Sequence, residues 1–216
     1  MRGWSGPRWV CTRTRGTGTE KLSLLDTTQE WGPRLPATVT GAGGGCWTYK
    51  VEYSTNHWQD WTYCPADVGL REAGGTSFQS FDFVAFTVDD LIVFRCDPLG
   101  DTIRLAAEPG ESWEQSCDGS SEARGTHVTS AGTNTFVGIE AVEVGGDEVR
   151  ATTTSRRGRS PATRPGPRRS TPGTRCETAS PLETERTVRV ESPSPIGQVV
   201  YTERGGYRLV SLVPER

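Results

Sequence analysis

The chain has 216 residues and a mass of 23.5 kDa, enough for one domain with its own core and too few for two of ordinary size. No window approaches the roughly 18 consecutive apolar residues of a transmembrane helix, and a formal net charge of -3 excludes the overall basic balance of a nucleic-acid binder. Hydrophobic residues make up only 33%, so the 7 Trp, 5 Tyr and 6 Phe have to supply much of any core.

The charge is unevenly spread. Residues 1–15 carry Arg2, Arg8, Arg13 and Arg15 with no acid, and Ala151–Ser180 carry seven Arg against the single acid Glu177. The remaining 171 residues hold 13 basic and 26 acidic side chains, so the body is strongly acidic. Six cysteines, at 11, 46, 64, 96, 117 and 176, are many for a reducing cytosol and predict an oxidising, extracytoplasmic compartment. Residues 1–15 nevertheless lack the apolar stretch and small-residue cleavage site of a secretory signal. The export signal is therefore expected to be missing from this chain.

A shifted reading frame reconciles the two statements. The chain has 22 Arg but only Lys21 and Lys50, the imprint of GC-rich coding DNA. A Thr codon read one base early becomes Tyr, His, Asn or Asp, which would turn Cys11-Thr12-Arg13-Thr14 into an alternating strand start just before Gly16. The same offset acts on Thr152-Thr153-Thr154, and the frame would be restored by about Pro181. On this reading Cys11 and Cys176 are artefacts and four cysteines remain.

From Gly16 onward, alternating runs bounded by Gly, Pro and Asp recur and helical periodicity does not, so the expected fold is all-β. Cys46–Tyr53 and Trp58–Cys64 flank the turn Ser54-Thr55-Asn56. Pairing centred on Thr55 sets Cys46 opposite Cys64, Trp47 opposite Tyr63 and Tyr49 opposite Trp61, with Thr48 facing Thr62 and Lys50 facing Asp60 on the other side. Such pairs stabilise a ladder by roughly 0.2–1 kcal/mol each, and opposed strand positions suit a Cys46–Cys64 disulfide.

Further strands are predicted at Gly69–Glu72, at Thr76–Asp89 with a bend near Val84, and at Asp90–Asp97, with Asp89-Asp90 as a turn. Glu111–Cys117, Gly125–Ser130 and Asn134–Val144 follow, and Val144-Gly-Gly-Asp147 turns the chain back through Glu148–Arg150. Thr184–Glu191, Gly197–Glu203 and Tyr207–Leu212 complete the set, with Arg204-Gly205-Gly206 as a hairpin turn. Short sequential strands with brief turns predict an antiparallel meander. Cys96 and Cys117 bracket a loop with Pro98, Gly100, Pro109 and Gly110, which suits a second disulfide.

Ala151–Ser180 contains no Ile, Leu, Val, Phe, Met, Trp or Tyr. Thirty such residues cannot bury apolar area and are expected to be a disordered or frame-shifted insert, with a basic arm as the remaining alternative. The expected organisation is therefore an atypical stretch 1–15, a single β domain formed by 16–150 and 181–216, and the insert 151–180.

No motif of known chemistry occurs, neither Gly-x-Ser-x-Gly, His-Glu-x-x-His, a phosphate loop nor Cys-x-x-Cys. His57 has Asp60 nearby, but a turn histidine without a second ligand is more often structural, and His127 stands apart. Glu20, Asp60, Asp82, Asp89, Asp90 and Glu140 show no spacing that sets two carboxylates at a working separation. No catalytic residue, metal ligand or cofactor is assigned. The one feature large enough to line a ligand groove is the aromatic set Trp47, Tyr49, Tyr53, Trp61, Tyr63, Phe78, Phe81, Phe83 and Phe86. Its candidate ligand face is Trp47, Tyr49, Trp61, Tyr63, Phe81 and Phe83, although sheet faces need a core as well.

Gly45-Cys46-Trp47-Thr48, Asn56-His57-Trp58-Gln59-x-Trp61-Thr62-Tyr63-Cys64, Pro109-Gly110-x-x-Trp113-x-Gln115-Ser116-Cys117, Thr135-Phe136-Val137-Gly138-x-Glu140 and Ser192-Pro193-Ser194-Pro195-Ile196-Gly197 resemble an uncharacterised family of actinobacterial secreted or membrane-anchored β-rich proteins. At fold level the meander more weakly resembles the half-barrels of Lol-type lipoprotein carriers and mycobacterial lipid-carrying lipoproteins. The resemblance implies a curved antiparallel half-barrel with an apolar groove. It leads to the expectation of a non-enzymatic extracytoplasmic binding or carrier domain for a lipid or other apolar or envelope-derived ligand. The alternatives are a structural or interaction module of the cell envelope without a small ligand, and a hydrolase using His57 with a carboxylate.

Overall fold

The computed structural model describes residues 14–23, 28–67, 69–82, 87–121, 125–158, 164–170, 181–194 and 197–211. They form one antiparallel sheet of 13 strands and no helix long and apolar enough to cross a membrane. The strands are β1 (Thr14–Leu22), β2 (Thr28–Trp31), β3 (Ala37–Gly43), β4 (Cys46–Ser54), β5 (His57–Ala66) and β6 (Gly69–Asp82). There follow β7 (Thr87–Arg104), β8 (Ser112–Ser121), β9 (Thr126–Val144), β10 (Asp147–Gly158), β11 (Arg164–Ser170), β12 (Pro181–Ser194) and β13 (Gly197–Leu209).

From β3 to β13 each strand pairs with its successor, and β13 then pairs with β1, which also carries β2. The result is a strongly curled half-barrel, a meander whose two edges are the consecutive strands β2 and β3. The connection between them stitches the seam. Gly16 N–H donates to Pro33 O at 3.2 Å and Leu35 N–H to Thr14 O at 3.1 Å, while Glu52 N–H in β4 donates to Pro36 O at 2.9 Å. Leu35 is fully buried beneath this segment. Edge groups that would otherwise stay open are thereby satisfied within the chain.

The β4–β5 hairpin has the register its residues predict: Trp47 pairs with Tyr63, Thr48 with Thr62, Tyr49 with Trp61 and Lys50 with Asp60. The Thr48 and Thr62 hydroxyls hydrogen-bond at 2.9 Å, and Cys46–Cys64 is a disulfide across Cα atoms 4.2 Å apart. Cys96–Cys117 is the second disulfide. Tyr49, Val51, Tyr53, Val39 and Trp31 are buried with Tyr207 in the main core, and Val144, Ala151, Leu182 and Leu209 form a smaller one.

Several predicted boundaries move. Asp89-Asp90 is not a turn: both residues lie in β7, with Asp90 paired to Gln79, and the β6–β7 ladder closes at Asp82↔Thr87. Val84 and its expected bend lie outside the described residues. Gly125–Ser130 and Asn134–Val144 are one continuous β9. Gly205-Gly206 is not a hairpin turn but the middle of β13, paired with β1 on one side and β12 on the other.

Trp31 explains the first of these glycines. Gly18 and Gly205 face each other across β1 and β13, and a Cβ on either would overlap the Trp31 indole. The same device recurs where the Phe94 ring comes within 2.7 Å of a Cβ placed on Gly119. Inward glycines covered by a large neighbour let the sheet curl tightly without leaving a void.

The stretch 151–180 also divides. Residues 151–158 continue β10, with Ala151 through Thr154 all buried, and 164–170 form β11 between β10 and β12. This run has no large apolar side chain; ladder hydrogen bonds on both sides hold it, and Ala151 anchors it in the smaller core. The rest of that stretch, with Cys176, lies outside the described residues, as do residues 1–13 with Cys11.

Replacing Cys46 and Cys64 together by Ser releases an 18-residue cross-link. Guanidinium unfolding is expected to show a loss of about 3 kcal/mol from the greater entropy of the unfolded chain.

Candidate functional site

The register lines up a cross-sheet row inside the curl: Trp61 pairs with Gly75, Gly75 with Phe94, Phe94 with Gly119 and Gly119 with Val128. Strand alternation puts all five on one face, large side chains separated by glycines. On β8 this face is marked by the burial of Trp113, Gln115, Cys117, Gly119 and Ser121 between exposed neighbours. Trp61, Phe94 and Val128 are only half-buried there, and so are Gln59, Ser77 and Ile92 in the next row. The concave face thus keeps a strip of partly uncovered apolar surface with a polar margin.

Beside this strip, at the end where β12 and β13 approach β4 and β5, lies a buried ionic network. Arg186 donates through Nη2 to Glu203 Oε2 at 2.8 Å, and through Nη1 to Gln59 Oε1 at 2.6 Å and Tyr53 OH at 3.0 Å. Tyr201 OH donates to Glu203 Oε2 at 3.0 Å, and Gln79 Nε2 donates to Tyr201 OH at 2.5 Å. Glu20, paired with Glu203 across β1 and β13, lies 2.5 Å from His57 Nδ1, and the His57 ring packs 4.6 Å from that of Tyr53. Glu203 Oε1 and His57 Nε2 are buried without a hydrogen-bond partner among the described residues.

Burial opposes charge on Arg186, but Glu203 and the phenols of Tyr53 and Tyr201 outweigh it and hold the guanidinium cationic. Burial raises the Tyr53 phenol far above its ordinary value near 10, against the pull of Arg186. Tyr201 is raised in the same direction by burial and by the Glu203 and Glu20 carboxylates.

A second polar core joins β6, β8 and β9. Gln115 Nε2 donates to Glu72 Oε2 at 2.9 Å, and Asn134 Nδ2 donates to Gln115 Oε1 at 2.7 Å. Glu72 lies against Cys96 and Cys117, but both sulfurs are committed to the disulfide and supply no thiolate for a metal.

The six residues of the aromatic ligand face have different fates. Trp47, Tyr49, Tyr63 and Phe81 are at most 8% exposed and serve as core, Trp61 belongs to the half-buried strip, and Phe83 lies outside the described residues, as does Phe86. Phe78 faces the opposite side of the sheet, stacked 5.8 Å from Trp58. His57 does not meet Asp60: three residues apart on β5, they point to opposite faces. Asp60 instead accepts the Thr76 N–H at 2.9 Å, and burial raises its carboxyl pKa.

Of the remaining acids, Asp82 is exposed and accepts from Thr87 Oγ1 at 2.7 Å, and Asp90 accepts from Ser121 Oγ at 2.6 Å. Glu20 gains a carboxylate neighbour across the ladder, Glu203, which like Arg186 and Phe94 carries no signal in the sequence. A buried Glu–Arg pair 17 residues apart leaves no local signal. Comparison with protein-family models, curated proteins and solved structures finds no match to this chain.

Arg186→Met strands Glu203 as a buried carboxylate and is expected to cost roughly 3–5 kcal/mol in urea unfolding; a change within about 1 kcal/mol, the size of a surface pair, would show that the pair does not join the walls. A phenol whose pKa is raised on folding stabilises fully below its unfolded value near 10. That contribution is lost as pH climbs above about 10, by roughly 1.4 kcal/mol per pH unit for each of Tyr53 and Tyr201. Absorbance titration should therefore show the Tyr53 and Tyr201 phenols ionising only on unfolding.

Proposed function

We propose that the chain is a non-enzymatic binding or carrier domain of an extracytoplasmic compartment, secreted or anchored, that takes an apolar or envelope-derived ligand on its concave face. The observation that carries this is the row Trp61–Gly75–Phe94–Gly119–Val128, half-buried apolar surface on the inside of a curled sheet, where an extended apolar molecule would find partly desolvated walls. The two disulfides support an oxidising environment. The motifs around Cys46–Cys64 and Trp113–Cys117 that resemble an actinobacterial secreted family point the same way.

The burial of His57 and Glu20 argues against the hydrolase. Their side chains are 0% and 2% exposed, whereas a general base has to reach the proton it removes. A second reading, a structural envelope module without a small ligand, is favoured by the closed packing of Trp47, Tyr49, Tyr63 and Phe81.

Native mass spectrometry of protein purified from an exporting host separates the two. The carrier predicts co-purifying lipid or fatty acid, and Phe94→Ser is expected to reduce its retention by about tenfold, the scale of 1–2 kcal/mol from one lost aromatic contact. Ligand-free protein with no thermal shift on adding lipids would leave the structural module.

A further inference from the structure

The outer face of β1, β13 and β12, on the opposite side of the sheet from Glu203 and Tyr207, carries a groove of about 450 Å³. Its floor is Gly206, which pairs with Thr17 and Glu185 and contributes no side chain. Arg204 and Arg208 stand two residues to either side of Gly206 on the same face, and Arg15 pairs directly with Arg208. Glu183 and Glu185 on β12 form the other wall.

Two features mark this as more than a solvated surface. Arg15 opposite Arg208 places like charges in register on neighbouring strands, an arrangement that weakens the ladder. Further, Arg15, Arg204 and Arg208 are exposed and form no salt bridge with any described residue, although the body of the chain is rich in acids. Three guanidiniums without a salt bridge among the described residues thus converge on a depression beside a glycine, with Arg208 in register between Arg15 on β1 and Glu183 on β12. Guanidinium forks match the oxygens of a phosphate better than those of water, and they hold it by paired, charge-assisted hydrogen bonds.

The groove is also polar along its width, with cations on β1 and β13 and the carboxylates of Glu183 and Glu185 on β12. The geometry points to a binding site for a phosphate ester that carries an ammonium end. The phosphate would lie over Gly206 between Arg204, Arg208 and Arg15, and the ammonium group would lie toward Glu185. A phosphoethanolamine-type group has this chemistry, whether on a lipid or in a soluble ester. The site is on the face opposite the concave strip and does not depend on what that strip holds.

Isothermal titration with phosphoethanolamine and with inorganic phosphate, and co-sedimentation with phosphatidylethanolamine vesicles, test it. The expected result is binding of the zwitterion more tightly than of phosphate. Arg204→Gln combined with Arg208→Gln should weaken it at least about tenfold, the scale of charge-assisted hydrogen bonds, and Glu185→Gln should weaken phosphoethanolamine but not phosphate. Because these side chains are exposed, the variants should keep the parent melting temperature, which checks that folding is intact. Binding to vesicles without binding of the soluble ester assigns the site to a lipid head group, and binding of both assigns it to the phosphate ester itself. Failure of all three probes to bind, or equal binding by the double variant, overturns the site, and phosphoethanolamine binding unaffected by Glu185→Gln overturns the ammonium end.

Discussion

The guanidinium of Arg186 is the point at which two walls of the curled sheet meet. It sits on β12, pairs with Glu203 on β13, and reaches across the interior to Tyr53 on β4 and Gln59 on β5. Along the ladder from β5 to β12 those walls are seven strands apart, and across the seam the backbone joins them through the 32–36 segment, not by direct strand pairing. A buried charge is tolerated only when its hydrogen bonds are met, and Arg186 meets them only if the sheet closes to this degree. The pair therefore adds little net stability over an apolar filling of the same shape, yet it selects one curvature over flatter ones.

That curvature makes demands that glycine and aromatic residues answer together. Gly18 and Gly205 make room for the Trp31 indole, and Gly119 for the Phe94 ring. Trp31 then packs 5.0 Å from Tyr53, which carries the Arg186 contact, so the seam, the core and the ionic network are continuous. The disulfides pin adjacent strands, Cys46–Cys64 across β4 and β5 and Cys96–Cys117 across β7 and β8. They restrict the unfolded chain and leave the long-range closure to the backbone hydrogen bonds of the seam and to side chains such as Arg186.

The two faces of the sheet divide the functional possibilities. Inside, the aromatic residues nearest the seam are fully used as core, and the surface left over is the strip from Trp61 to Val128. Outside, strand alternation displays Arg15, Arg204 and Arg208, while their neighbours Glu203 and Tyr207 turn inward. One strand, β13, thus supplies the interior carboxylate, the glycine slot for Trp31 and two of the outer cations.

The sequence by itself determined what depends on neighbours along the chain or directly across one turn. The all-β class, the Gly145-Gly146 turn with φ of 64° and 92°, and the β4–β5 pairs from Trp47–Tyr63 to Lys50–Asp60 follow from alternation and turn chemistry, while the shift that pairs Ser54 with His57 does not. Cys46–Cys64 follows from the same register. Only the tertiary structure decided that Gly205-Gly206 is mid-strand, that His57 meets Glu20 and not Asp60, and that Trp47 and Tyr49 are core while Trp61 and Phe94 stay half-open. Each of these depends on which distant strand arrives opposite. That is set by the curl and closure of the whole sheet, and a period-two pattern reports which residues share a face but not what that face will meet.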